Sequence, residues 1–169
     1  MAKLLIMKRQ QQQFESAIDS HGQSFVKIAA TYEADDKLQQ DLHQEILLAV
    51  WQALPSFKGQ SSLKTFVYRV AYNKAFNHVA KYSAKPKHQD LDDVHVCQTD
   101  GPEQTIQNNK ALENLMVAIR QLPVMQRQLI TLALDGISYA DIAIITGLSV
   151  SNVGVQLNRA KKQLKSIME

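Results

Sequence analysis

No aspartate or glutamate occurs between Ile46 and Gln89, although the whole chain carries 16 of them against 19 lysines and arginines. A stretch without negative side chains does not repel phosphate, and this one offers Lys58, Lys64, Arg69, Lys74, Lys81, Lys85 and Lys87 to attract it. Cysteine is nearly absent too. Cys97 stands alone, so no intramolecular disulfide can form and a reducing cytosol is the expected compartment. No apolar run reaches the roughly 20 residues that span a bilayer, and Leu4 to Met7 is too short for a secretory signal. A soluble, cytoplasmic chain without membrane insertion is therefore expected. Catalytic groupings are missing as well: His21, His43, His78, His88 and His95 are scattered, and no nucleophile stands beside a base. No catalytic residue is assigned and no enzyme is expected. His88, His95 and Cys97 are followed by no second cysteine or close histidine pair, so neither a metal site nor another cofactor is expected.

What is present is unevenly distributed. The formal net charge is only +3 over 169 residues, enough chain for one domain or two small ones. Residues 1 to 45 hold 5 basic and 7 acidic side chains, 46 to 89 hold 7 and 0, 90 to 113 hold 1 and 6, and 114 to 169 hold 6 and 3. Two basic blocks flank an acidic one. Among the cations of the first block lie Trp51, Phe57, Phe66, Tyr68, Tyr72, Phe76 and Tyr82. Cations mixed with flat rings suit unstacked nucleic acid, while rings at helical spacing equally suit a core.

Nearly every periodic segment reads as helix. Phe14, Ala17 and Ile18, then Phe25, Ile28, Ala29 and Tyr32, recur at spacings of three and four. From Asp41 to Leu54, the residues Leu42, Ile46, Ala49 and Val50 make one apolar face, with Asp41, Gln44, Glu45 and Gln52 largely outside it, and Pro55 stops the helix. The polar loop Ser56 to Ser62 contains Gly59. Leu63, Phe66, Val67, Val70, Ala71, Lys74 and Ala75 then resume the period, capped by either Ser62 or Thr65.

Periodicity stops between Ser83 and about Asn108, where Pro86, Pro102, Asp90, Asp92, Asp93, Asp100 and Glu103 collect. That composition predicts a flexible acidic linker. Beyond it, Leu112, Leu115, Met116, Ile119 and Leu122 predict an amphipathic helix stopped by Pro123, and Gln126 to Leu134 another, ended at Asp135-Gly136 by a left-handed glycine. Ser138 to Asp141 reads as a capping box. A short helix to Thr146, the turn Gly147-Leu148-Ser149 and a longer helix from about Val150 towards Met168 complete a helix-turn-helix, with Val153, Leu157, Ala160, Leu164 and Ile167 on the buried side. The fold class is all-α.

The order of these parts resembles a known family. Asp41 to Trp51, Ala53 to Gly59, Ser62 to Ala71 and Asn73 look like the second domain of bacterial sigma factors of the extracytoplasmic-function group, within the sigma-70 family. Leu122 to Arg127, Asp135 to Ala143 and Arg159 to Lys162 look like their fourth domain. The resemblance implies two small helical domains, residues 1–84 and 110–169, joined by a linker over 85–109. It also implies a non-catalytic initiation factor that binds core RNA polymerase and promoter DNA and is held by an anti-sigma factor. By the same resemblance Asp41, Gln44, Glu45 and Trp51 would dock on polymerase, the alternative being a solvated helix with a buried tryptophan. Phe57, Lys58, Lys64, Phe66, Arg69, Asn73 and Asn77 would capture the non-template strand of the minus-ten element, a task for rings, amides and cations. Phe66 and Val70 could equally be core. Ser151, Asn152, Val155, Gln156, Arg159 and Lys162 would meet the minus-thirty-five element.

Two departures stand out. Gly154, Val155 and Gln156 occupy positions where relatives usually have Lys, Ser and Arg, and Val79-Ala80-Lys81 replaces a common arginine pair. Arg159, Lys161, Lys162 and Lys165 keep phosphate anchoring, while Asn152 and Gln156 suit adenine edges. A sigma-like regulator that touches polymerase or DNA without directing initiation is the alternative function.

Overall fold

The computed structural model describes residues 1–83 and 103–169. Most of the expected linker, with His88, His95 and Cys97, lies outside the described residues. Helix α1 spans Ala2–Tyr32, α2 Asp36–Ala53 and α3 Leu63–Ser83; a turn of 3-10 helix at Leu54–Ser56 follows α2. After the break come α4 (Glu103–Gln121), α5 (Val124–Leu134), α6 (Tyr139–Thr146) and α7 (Val150–Met168). No strand occurs among the described residues. Helix α4 already begins at Glu103, within the segment ending at about Asn108 that composition indicated as linker.

The first three helices form one bundle. The two apolar stretches around Phe14 and Phe25 belong to a single unbroken α1, which buries Ala17, Phe25, Ile28, Ala29 and Tyr32. Opposite them α2 buries Leu42, Ile46 and Val50, and α3 buries Val67, Tyr68, Ala71, Tyr72 and Ala75. Each fully covered aliphatic side chain contributes about 1.5–3 kcal/mol relative to exposure. Helix α2 starts earlier than its apolar period suggested, because the Asp35 carboxylate accepts from the Leu38 amide at 3.0 Å and caps it there. Pro55 then turns the chain, and the Ser56 hydroxyl donates to the freed Ala53 carbonyl at 2.7 Å. Of the two candidate caps for α3, Ser62 is the one used. Its Oγ accepts from the Thr65 amide at 3.1 Å and donates to the Thr65 hydroxyl at 3.0 Å.

The last four helices form the second bundle, on Ala118, Ile119, Leu122, Leu129, Ile130, Leu132, Ile142, Ile145, Val153, Leu157 and Ala160. Leu112, expected on the apolar face of α4, is 58% exposed, within a stretch, residues 110–114, that is exposed throughout. Helix α5 ends as its sequence indicated. Gly136 sits at φ 71°, the Ile137 amide reaches the Leu132 carbonyl at 3.1 Å and the Gly136 amide reaches Ala133 at 3.0 Å. Gly147, at φ 75°, likewise closes α6. Helices α6 and α7 then meet at 96°.

Candidate polymerase and nucleic-acid interfaces

At the start of α6 the Ser138 hydroxyl accepts from the Asp141 amide at 3.1 Å and donates to the Asp141 carboxylate at 2.7 Å. The capping box is therefore closed hydroxyl to carboxylate, and not, as expected, by the acid returning to the cap's own backbone. Ser149 caps α7 by accepting from the Asn152 amide at 3.3 Å. With both ends of the turn fixed, α7 presents Ser151, Asn152, Val155, Arg159 and Lys162 as exposed side chains and Gln156 as a half-buried one. At about 100° per residue these six share one face. Val153, Leu157 and Ala160 occupy the opposite side, against α5 and α6.

Gly154 does not belong to that face. It lies about 200° round the helix from Asn152, turned towards α6, and a Cβ built there would stand 3.7 Å from Cε2 of Tyr139. That is ordinary van der Waals contact. Tyr139, 43% exposed at the first turn of α6, is a surface ring that sequence reading did not single out.

On α3, Arg69, Asn73 and Asn77 recur at intervals of four and are all exposed, so cation and amides line one stripe. Phe66, half-buried, borders that stripe and packs against Phe57 with ring centroids 5.0 Å apart, tilted 47°. Phe66 thus packs in part against the core, and the rest of its ring is open. Val70 is half-buried as well. Lys58 is exposed in the loop that Gly59, at φ 73°, allows to turn. Lys64 is not brought to this stripe. It lies about 140° away from Arg69, with its ammonium 5.9 Å above the Tyr68 ring.

The face expected to dock on polymerase is real as a surface but differs in composition. Asp41, Gln44 and Glu45 are exposed on α2. Glu45 Oε2 is held 3.0 Å from Lys74 Nζ, so part of the acidic character is spent within the bundle. Trp51 is half-buried: Phe14 meets it edge-on at 5.3 Å and 85°, and its carbonyl accepts from the Gln10 amide at 2.7 Å. Leu48, 55% exposed in the middle of this face, was missed. The signal was present, since a leucine two residues after Ile46 falls outside the stripe of Leu42, Ile46 and Val50.

His21, His43 and Asp135 belong to neither stripe. Burial holds the His21 imidazole below its ordinary value, and Lys64 lowers it further against the opposing pull of Asp135. Burial likewise lowers His43. Asp135 is pushed up by burial, although Lys27, Lys64 and His21 pull it back. No cluster of three or more His, Cys, Asp or Glu side chains suited to a metal occurs among the described residues. No single described helix is long and apolar enough to cross a membrane.

Comparison with known proteins assigns both bundles. Residues 17–85 match the family model for sigma-70 region 2, and residues 112–164 match that for sigma-70 region 4. The chain is 30% identical over 134 residues to the ECF RNA polymerase sigma-E factor of Escherichia coli, covering 73% of this chain and 70% of that protein. It is 28% identical over 145 residues to the RNA polymerase sigma-H factor of Pseudomonas aeruginosa, covering 80% and 75%. In fold it is similar to CnrH, solved in complex with the cytosolic domain of CnrY, with a TM-score of 0.69 at 20% identity over 98% of this chain and 95% of that one. The sigma factor RpoE of Bartonella quintana, solved with the anti-sigma factor NepR, gives 0.71 at 20% identity over 92% and 96%. Matching both regions in order, and related at this level over most of its length, the chain belongs to the ECF group of the sigma-70 family of RNA polymerase sigma factors.

Proposed function

We propose that this chain binds core RNA polymerase reversibly and directs promoter recognition, strand opening and initiation, with no bond-making chemistry of its own. The division of labour is a second domain over residues 1–84, a linker over 85–109 and a fourth domain over 110–169. The observation that carries the reading is that one chain holds both an exposed cation-and-amide stripe bordered by rings, on α3, and a capped helix-turn-helix with an open polar face, on α7. Unstacked bases favour the first kind of surface and duplex edges the second.

In this reading Asp41, Gln44, Glu45 and Trp51 dock on polymerase, with Leu48 supplying apolar contact that a polar rim surrounds. Phe57, Lys58, Phe66, Arg69, Asn73 and Asn77 hold the melted minus-ten strand, and Lys64 joins them only where it is released from its place over Tyr68. Ser151, Asn152, Val155, Gln156, Arg159 and Lys162 face the minus-thirty-five duplex. The two structural neighbours were each solved with a partner protein, one of them named an anti-sigma factor. A comparable inhibitor is proposed here, and the cytoplasm is the compartment in which all these partners meet.

The deciding experiment is transcription in vitro from fragmented genomic DNA with purified core polymerase. A discrete transcript that depends on this protein is expected. Retention of polymerase without any transcript would favour the regulator that contacts polymerase but does not direct initiation.

A further inference from the structure

Residues 3–9 of α1 are exposed throughout, and Gln10, whose amide reaches the Trp51 carbonyl at 2.7 Å, is the first half-buried position. The helix from Ala2 to Arg9 therefore projects about 12 Å beyond the bundle at 1.5 Å per residue. This overhang precedes residues 17–85, the part that matches the sigma-70 region 2 model. Its composition is distinctive. Leu4, Leu5, Ile6 and Met7 are each more than half exposed, Lys3 flanks them on one side and Lys8 and Arg9 on the other, and no carboxylate occurs before Glu15. Lys3 stands in the first turn, where the helix dipole disfavours a cation, and no acidic side chain there offsets it. Neither the apolar turn nor its cations serve the fold.

We propose that this overhang docks on an anionic lipid surface, with Leu4, Leu5, Ile6 and Met7 in the interfacial layer and Lys3, Lys8 and Arg9 on its phosphates. At about 100° per residue the four apolar side chains point to all sides of the helix. A groove in a protein partner covers one stripe, spaced i, i+3, i+4 and i+7, and would leave the other sides in water. A second copy would set the same cations against one another. A lipid interface surrounds a helix end on every side. Interfacial segments bury to a depth of about 5–10 Å, and the four-residue turn rises about 6 Å. Lys3, Lys8 and Arg9 stand about 100–140° apart around the axis, so headgroup phosphates meet a cation on each side, reached by long apolar stems. Glu33, Asp35 and Asp36 lie at the other end of α1, some 36 Å from Arg9 at the same rise, several Debye lengths away from the lipid charge. The attachment is peripheral, since four apolar residues fall far short of the roughly 20 that cross a bilayer. With one turn and three cations it is reversible and weakened by salt.

The test is flotation of the full chain with vesicles of phosphatidylcholine, alone or with phosphatidylglycerol added. Binding to the anionic vesicles should be at least about tenfold tighter, and Lys8→Gln with Arg9→Gln should remove at least that factor, at about fivefold per cation. Leu5→Ser with Ile6→Ser should release the chain at an unchanged melting temperature, because neither side chain is covered in the fold. Failure of the wild type to float with anionic vesicles overturns the proposal. So does equal binding by the serine variant, which would mean that the cations of α3 hold the vesicle. The surrounding of the turn is read with a nitrobenzoxadiazole label placed in turn at Leu4→Cys, Leu5→Cys, Ile6→Cys and Met7→Cys, each with Cys97→Ser. All four labels should brighten and shift to the blue on anionic vesicles. A response on one side of the helix only would point to a protein groove and overturn the lipid assignment. These readouts are made without polymerase or DNA, so they decide the docking element independently of the function proposed above.

Discussion

The Glu45 carboxylate lies 3.0 Å from the Lys74 ammonium, joining the centre of α2 to α3 across the surface proposed to meet polymerase. Both side chains are well exposed, at 50% and 39%, so the pair contributes no more than about 1 kcal/mol to folding. Glu45→Lys should therefore lower the melting temperature only slightly, while slowing association with core polymerase at low salt. Lys74→Ala should melt similarly and associate normally. Stopped-flow association at two salt concentrations separates these outcomes; equal rates for Glu45→Lys and wild type would remove Glu45 from the docking face.

Leu48 and Trp51 should separate binding from stability. Leu48 is exposed, so Leu48→Ala is expected to change stability by under about 0.5 kcal/mol yet weaken polymerase retention by more than about 1 kcal/mol, the threshold of an anchoring residue. Trp51→Ala, which empties the edge-on contact with Phe14, should cost roughly 2 kcal/mol of stability, part of what a fully buried ring would lose. Denaturant titration beside native pull-down checks both. Unimpaired retention by Leu48→Ala would mean that α2 faces solvent in the complex.

On α3 the expected difference is between Arg69 and Lys64. Arg69→Ala should weaken binding to single-stranded minus-ten oligonucleotides and reduce the salt slope by about 0.7. Lys64→Ala, lying round the helix over Tyr68, should change that slope less. Asn73→Ala should blunt sequence preference with the slope intact. Fluorescence anisotropy across a salt series reads all three, and a larger loss of slope for Lys64→Ala than for Arg69→Ala would reverse the assignment.

The recognition helix divides into two independent substitutions. Gly154→Ala is expected to stabilise the chain by up to about 1 kcal/mol, because its Cβ meets Tyr139 only at contact distance. Base preference should not move. Gln156→Arg, on the polar face, should raise duplex affinity, steepen the salt slope by about 0.9 and shift selection from adenine towards guanine, with about 1–3 kcal/mol of discrimination per good contact. Selection from a randomised duplex library would show it; an unchanged consensus would mean that this face does not read bases.

Acid should destabilise the chain through two histidines. His21 and His43 titrate below their ordinary 6.5 in the folded state, burial being the main cause. The unfolded chain therefore binds protons first as pH falls, and the stability present above pH 6.5 is lost progressively as pH drops through the lowered folded values. Asp135 acts oppositely at lower pH, since burial raises its affinity for a proton when folded. Thermal melts between pH 7.5 and 5.5, a window set by that ordinary value, should show a falling midpoint in the wild type and a flatter one in His21→Gln with His43→Gln. Parallel curves would place the acid sensitivity elsewhere.

Local sequence was enough for the helical class, the stops at Pro55, Pro123 and Gly136 and the grammar of the helix-turn-helix, though not for the starts of α2 and α4. Ser138, Gly147, Ser149 and the glycine after Asp135 act through bonds to residues no more than five positions away, so their partners are written beside them in the chain. The buried stripe of α7 and the exposed stripe Arg69, Asn73, Asn77 follow from helical periodicity in the same way. Tertiary structure decided the rest. Whether Glu45 is free, whether Lys64 faces the α3 stripe, which way Gly154 points and whether Leu48 is covered depend on side chains brought together from distant positions, and so does the hydrogen bond from the Thr65 hydroxyl to Asp141. Periodicity gives each residue an angle on its own helix but not the neighbour that angle meets; only packing, which chooses the contacts that exclude most water from the apolar stripes, supplies that neighbour.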